Sequence, residues 1–505
     1  MKFSELFKTN PSGIILQSIF IRFMGVIYLI AFVSLGTQVL GLMGSEGILP
    51  VSDFLKEVEK FYGGERFGIL PTLFWLNTSD FFLGSICWLG VGLSLLLIFY
   101  CAPRIILFFL WLFYLSFNSV GREFLAFQWD SLLLEAGFLS IFFAPSGIRP
   151  KLFLHNPPSL IGLWLLRWLL FRLIFESGMV KLLSGDQTWA DLTAMSYHYM
   201  TQPLPNVISW YLYQAPLGFH KISCFFVLVV ELLVPIFIFL GKRMRYVTFF
   251  ILVIFQGFII LTGNYCFFNY LTIVLCLTLL DDAFLKKLLP DQWIPQVQNG
   301  VDSKSQSHIK RILGNSSLLL LAILILTISS VQMFPRAFLW IFMSKPYQII
   351  LQSISPFRSL NNYGLFAIMT TRRPEIIIEG SNDQEHWIPY EFKWKPGQLH
   401  RAPGWVAPHQ PRLDWQMWFA ALGTYRENPW LIRLLVKLLQ GSEPVLNLLA
   451  VNPFSKGPPQ YIRATLFDYQ FTDFKSRKET GQWWQRQKLG LYCPILSKKS
   501  NSIKP

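Results

Sequence analysis

Apolar runs long enough to cross a bilayer alternate with short polar connections over the first two thirds of the chain, and then the pattern stops. A membrane-crossing helix needs about 17–25 mostly apolar residues. Such segments lie near 14–42, 82–100, 104–120, 131–145, 160–183, 221–241, 245–263, 266–280 and 316–335. The fourth and eighth are short, which fits helices that are tilted, re-entrant or packed inside the bundle. The first is not a cleavable signal peptide: it starts late, is too long and lacks a small-residue cleavage pattern.

After Met333 the periodicity changes. Within Arg373–Trp394, EIIIEG and the run around WIPYEFKW read as strands, with the turn signal GSND between them. The Pro-rich stretch Ala402–Pro411 reads as loop. Asp414–Tyr425 and Pro429–Leu439 have helical spacing, with Asp414 and Asn428 as N-caps and Gly441 as a stop. Pro444–Leu449 reads as a further helical turn, and Tyr461–Thr472 alternates as a strand. The expected architecture is a polytopic α-helical membrane bundle of about nine helices over 1–335, then an α+β soluble domain with a β-sheet core over 336–496. The tail, 497–505, is polar and loose.

Charge adds orientation. The net charge is +15, and from Arg336 onward 22 Lys+Arg stand against 11 Asp+Glu. That surplus is either a face for anionic partners and lipid headgroups or an ordinary solvated surface. No basic run is interleaved with aromatics, so nucleic acid is not an expected partner. Short loops rich in Lys and Arg face the cytosol. Lys2 and Lys8, Arg104, Arg149 with Lys151, the Lys242-Arg243-Arg245 cluster, and Lys286, Lys287, Lys310 and Arg311 fall on one side if nine segments cross. The Met43–Phe81 loop, with three basic and six acidic residues, falls on the other with Gly185–His220 and the C-terminal domain.

Charges inside the spans are costly and therefore informative. The fifth span carries Arg167, Arg172, Glu176 and Lys181; Arg172 and Glu176 stand i,i+4 and are placed to pair. Arg122 and Glu123 precede the fourth span, Asp130 and Glu135 sit at its start, and Glu231 lies in the sixth. Together they form either a polar cavity or interhelical pairs that fix register. In the soluble part, His409, Arg412 and Asp414 have the makings of a base, an anion clamp and an orienting carboxylate. The alternative is that they cap a helix and knit the loop to the membrane part. Trp415, Trp418, Phe419 and Leu422 follow at helical spacing, and Arg412 is expected to stay available to a carboxylate or lipid phosphate. This segment is read as a client-binding or structural hinge.

The six cysteines form no CxxC and no zinc-spaced Cys/His pair, and no P-loop, Rossmann glycine pattern or HExxH occurs. No cofactor and no metal site is expected. No Ser or Cys sits in a nucleophile elbow, so a non-enzymatic role is favoured.

Two stretches carry a resemblance. GREFLAFQWDSLLLE continuing to Pro145, and IEGSND, YEFKWKPG, RAPGWVAPHQPRLDWQMWFAALG, NPW, NPF and TGQWW further on, resemble the lipase maturation factor family over nearly the whole chain. The resemblance implies a multi-pass membrane protein that assists folding and assembly of secreted lipase-like clients. It implies the endoplasmic reticulum membrane in a eukaryote and the cytoplasmic membrane in a bacterium. A shorter stretch, FESGMVKLLSGDQTW at 175–189, is similar to the vitamin K-dependent carboxylase and its membrane relatives, whose proposed base lysine falls on Lys181. That similarity implies a shared membrane fold, and fold does not carry function. Three roles follow: a maturation factor working through its C-terminal domain, an intramembrane enzyme using Lys181, or a transporter.

Overall fold

The computed structural model describes residues 13–148, 150, 158–288 and 308–498, with the side chains of 308–315 excepted. Lys2, Lys8, Arg149, Lys151, the side chains of Lys310 and Arg311, and the tail from 499 onward lie outside the described residues. Among the described residues the bundle is framed by α1 (Ile14–Gly36), α2 (Asp80–Ile98), α3 (Pro103–Val120), α4 (Gln128–Phe143), α5 (Leu160–Leu183), α6 (Leu217–Leu232), α7 (Lys242–Thr262), α8 (Phe268–Cys276) and α9 (His308–Met333). Six segments among the described residues are long and apolar enough to cross a membrane: α1, α2, α3, α6 extended to Phe239, α7, and Ser316–Met333 of α9. The chain is an integral membrane protein.

The other three expected spans are the centre of the bundle. α4 is 16 residues long and buries both Asp130 and Glu135. α5 buries Arg167, Arg172, Glu176 and Lys181, and the apolar stretch of α8 is short, Phe268–Leu279. The first span ends before its apolar run does: α1 stops at Gly36, and a separate turn of helix covers Val39–Met43. The cause is polar. Gln38 donates to Ser34 O at 2.6 Å and to Gln410 O at 2.8 Å, and accepts from Arg412 N at 2.9 Å.

The bundle has two chemically distinct ends. At one, Asp282 accepts from the amides of Ile15 and Leu16, Arg104 donates to Ala144 O, and Lys242 pairs with Asp281. At the other lie the C-terminus of α1, the Gly121–Phe127 connection, the 184–216 segment and Asn264. The C-terminal domain rests on this second end.

That domain is built on a sheet ordered β2-β1-β5-β6, with β7 beside β5. The strands are β1 (Arg373–Ser381), β2 (Ile388–Pro389), β5 (Tyr461–Phe471), β6 (Trp484–Leu491) and β7 (Leu496–Ser497). β1 and β5 run antiparallel, from Arg373 opposite Tyr469 to Ser381 opposite Tyr461. A small pair, β3 (Glu391–Phe392) and β4 (Leu449–Val451), stands apart. The expected second strand around WIPYEFKW is therefore split between two sheets. Two helices cover the sheet, α10 (Arg412–Ala421) and α11 (Pro429–Gln440). α11 follows its sequence closely: Trp430, Leu431, Leu434, Leu435 and Leu438 bury one face, and Gly441 ends it in the left-handed region at φ 73°. Asn428 precedes the helix but makes no side-chain cap bond; its amide carbonyl accepts from Trp430 Nε1 at 3.3 Å instead.

Candidate functional site: the clamp between bundle and domain

The 407–423 segment turns its densest chemistry inward. Pro411 restricts the chain to an extended approach and α10 starts at the next residue. Arg412 is wholly buried. Its guanidinium meets the Asp130 carboxylate through two bonds, at 2.8 and 2.9 Å, and donates to Phe124 O at 2.7 Å and Tyr114 Oη at 3.2 Å. Tyr114 in turn donates to Asp130. The planar fork suits this bidentate geometry, which a lysine cannot reproduce. The expectation that Arg412 stays available to a partner is thus corrected: both its terminal nitrogens are taken up by α3, α4 and their connection.

Asp414 is not the N-cap expected of it, because Pro411 holds that position. Its carboxylate accepts from the amides of Trp394 and Lys395, at 2.8 and 2.9 Å, and so ties α10 to the loop after β3. Both contacts go to backbone rather than to His409, so the base-and-orienter reading is not assembled. His409 Nδ1 sits 3.0 Å from Ser34 Oγ, which also accepts from Gln410 N at 2.9 Å. Burial, reinforced by the nearby charges of Arg412 and Lys393, holds His409 down to about 4, and the ring is neutral at physiological pH.

The aromatic residues complete the clamp. Trp415 packs edge-on to Trp129 at 4.6 Å, and Trp129 stacks on Phe127. Trp418 donates from Nε1 to Thr201 O at 2.9 Å. Trp415 and Trp418 are buried, whereas Phe419 and Leu422 remain 43% exposed, so the expected four-residue buried face holds only in its first half.

The remaining polar residues do not form one cluster. Arg122 and Glu123 lie on the turn Arg122–Leu125, half-buried at the clamp's edge, where Gln416 donates to Glu123 O. Arg172 does not take Glu176 as its partner; it pairs with Glu135 across the α4–α5 contact and donates to Asn361 O at 3.0 Å. Glu176 accepts from Tyr363 N at 2.7 Å, and Glu135 from Tyr363 Oη at 2.7 Å and Asn361 N at 3.0 Å. The i,i+4 spacing loses because these carboxylates bind the chain that links bundle and sheet. Arg167 donates to Thr278 O at 2.8 Å. Lys181 is closed by Glu231, at 2.7 and 2.9 Å, and by Ser177 O.

Several participants carry no signal in the sequence. Tyr114, Ser34, Gln38 and Tyr363 look like ordinary span or linker residues until their partners are known. Asn264 holds the Pro-rich loop, donating to Gly404 O and accepting from the amides of Val406 and Ala407. Arg373 and Lys395 both pair with the buried Glu375, and Arg373 also donates to Met200 O and Pro203 O of the bundle. Arg373 and Glu375, charged residues at the head of the apolar Ile376–Ile378 run, were the available clue. The arrangement as a whole is a rigid polar clamp with an aromatic rim.

Comparison with known proteins agrees with the motifs. The chain matches the family described as lipase maturation factor transmembrane domain over residues 15–287, and that described as lipase maturation factor C-terminal domain over 359–494. Lipase maturation factor 1 of Mus musculus is 37% identical, across 95% of this chain and 86% of that protein. The Homo sapiens protein of that name is 35% identical, across 95% and 87%. Lipase maturation factor 2 of Xenopus tropicalis is 34% identical, across 95% and 82%. No solved structure matches. With both parts matched and the clamp joining them built from the two hallmark stretches, this chain belongs to the lipase maturation factor family.

Proposed function

We propose that this protein is a membrane-anchored maturation factor whose clients are secreted lipase-like enzymes, with 1–335 as anchor and 336–496 as the client-facing domain. The observation that carries this reading is the similarity to lipase maturation factors over 95% of the chain, across both parts. In a eukaryote its place is the endoplasmic reticulum membrane, with the C-terminal domain on the lumenal side. Supporting that orientation, Arg104 and Lys242 lie at the bundle end away from the domain, where basic residues face the cytosol.

The clamp residues are used up by the bundle, so the client surface lies elsewhere on the domain. The free edge of the sheet supports such a role. Among the described residues β6 pairs with β5 alone, and Gln485, Arg486, Gln487 and Lys488 on it are exposed. An extended, acidic stretch of an incompletely folded client suits a basic edge of this kind through main-chain hydrogen bonds.

The test is expression in cells deleted for their own maturation factor, with a secreted lipase as reporter. Restored active lipase per lipase synthesised supports the proposal. A well-expressed, correctly inserted chain that restores none overturns it.

A further inference from the structure

A cavity of about 120 Å³ lies inside the bundle between α5, α6, α7, α8 and the short helix Ala194–Thr201. It plays no part in the clamp. Its lining is mixed: aliphatic and aromatic side chains such as Leu173 and Phe255, together with an unusual concentration of polar groups for this depth. Polar groups in such surroundings are costly unless bonded, so each one can be followed to its partner.

The hydrogen bonds determine which atoms are left over. Gln202 commits its amide nitrogen to the carbonyls of Thr262, at 2.8 Å, and Tyr199, at 3.3 Å. Its Oε1 is therefore an acceptor, and Tyr265 must donate its hydroxyl proton to it, at 2.8 Å. His198 Nε2 stands 3.1 Å from the same Tyr265 oxygen, so Nε2 carries a hydrogen and donates. Burial and the charge of Lys181 hold His198 down to about 4, which keeps the ring neutral. Nδ1 is then a bare acceptor with no hydrogen-bond partner among the described residues. Across the cavity, Asn269 donates to Gln256 Oε1 at 2.6 Å. That bond leaves the Gln256 amide nitrogen as a donor and the Asn269 carbonyl as an acceptor.

We propose that this cavity is a binding site for a small hydroxyl-bearing amphiphile drawn from the bilayer. A hydroxyl both donates and accepts, and so complements His198 Nδ1 together with the Gln256–Asn269 pair. The apolar body lies against Leu173 and Phe255. The volume is close to that of an engineered apolar cavity, about 150 Å³, that accepts benzene, so the site takes a ring or short chain rather than a whole lipid. Access follows from α7, which places Phe255 and Gln256 on the cavity while Ile254 and Phe258, on its other side, are 57% and 59% exposed. One helix thus separates the cavity from lipid. The site does not depend on the client reading.

The test uses the full chain in nanodiscs and an octanol carrying a photoreactive diazirine as probe, with labelled peptides mapped by mass spectrometry. Expected is saturable labelling of the 195–200 and 255–272 peptides, suppressed by excess octanol but not by octane. His198→Phe keeps the ring and removes the acceptor, and should weaken labelling about tenfold, as for one hydrogen bond. Ile259→Trp fills the cavity and should abolish labelling at an unchanged melting temperature. Equal competition by octane, or labelling that survives Ile259→Trp in a folded protein, overturns the proposal. If His198→Phe fails to fold, the octanol-against-octane comparison and Ile259→Trp decide.

Discussion

Removing Arg412 should unlock the domain from the bundle, and the pair Arg412–Asp130 allows the cost to be worked out. Both side chains are fully buried. Arg412→Leu leaves the Asp130 carboxylate with Tyr114 as its side-chain hydrogen-bond donor among the described residues, and breaking a buried pair from one side costs about 3–5 kcal/mol. It also deprives Phe124 O of its donor, for about 1–3 kcal/mol more. Asp130→Leu strands the guanidinium instead, with a similar loss. The double variant removes both charges and leaves the Phe124 carbonyl as the main penalty. It should therefore be more stable than either single variant, the two single losses being far from additive. Arg412→Lys keeps a charge but cannot span both carboxylate oxygens, Phe124 and Tyr114, so it should lose about 1–2 kcal/mol. The assay is thermal unfolding of the full chain in one detergent, with protease sensitivity of the C-terminal domain read alongside. The expected order of melting temperatures is native, Arg412→Lys, double variant, single Leu variants. Additive losses in the double variant, or a native melt for Arg412→Leu, would refute the reasoning.

Further predictions follow from the same contacts. Arg172→Leu should be rescued by Glu135→Leu more than by Glu176→Leu in the same melting assay; the reverse order would restore the i,i+4 pair. His409 is held to about 4 when folded against about 6.5 unfolded, so the unfolded chain binds the proton first and stability falls as pH drops from about 6.5 to about 4. His409→Gln should flatten the melting temperature over that range, and an unchanged slope would place the acid sensitivity elsewhere. A Cβ at Gly41 would meet the Pro444 carbonyl and Leu448 of the domain, so Gly41→Ala should lower stability and raise domain proteolysis, whereas a neutral result would mean the contact is loose. In sealed vesicles with the cytosolic face outward, an impermeant maleimide should label Arg243→Cys at once and Lys498→Cys only after permeabilisation. Immediate labelling of both would overturn the proposed orientation.

Legibility in the sequence tracked the range of the interaction. α11 was readable to within a residue because Pro429, its leucine periodicity and Gly441 are all local signals. β1 was readable from its apolar Ile376–Ile378 core and β5 from its alternation. β6 was not: its exposed Gln-Arg-Gln-Lys run has no apolar alternation, since an edge strand need not bury those residues. The charged residues of α4 and α5 were found, whereas Arg22 of α1 and the Asp281–Asp282 pair were not, and the partners of those that were found stayed hidden. Arg172 had a good local candidate in Glu176, and the linker residues Asn361 and Tyr363, far along the chain, displaced it. Asp414 looked like a cap because it opens an apolar run, while its amide donors come from the turn after β3. Spacing cannot announce contacts of this kind.

The clamp also sets an order on biosynthesis. Asp130 and Arg412 are 282 positions apart, so the bundle is complete in length well before the guanidinium that neutralises its α4 carboxylate has been translated. Until then Asp130, the Ser34 hydroxyl and the Phe124 carbonyl lack their partners from the C-terminal domain. Closure is consequently a late step, made when the last fifth of the chain arrives. A nascent chain halted before Arg412 would leave the Asp130 carboxylate without its guanidinium at that end of the bundle.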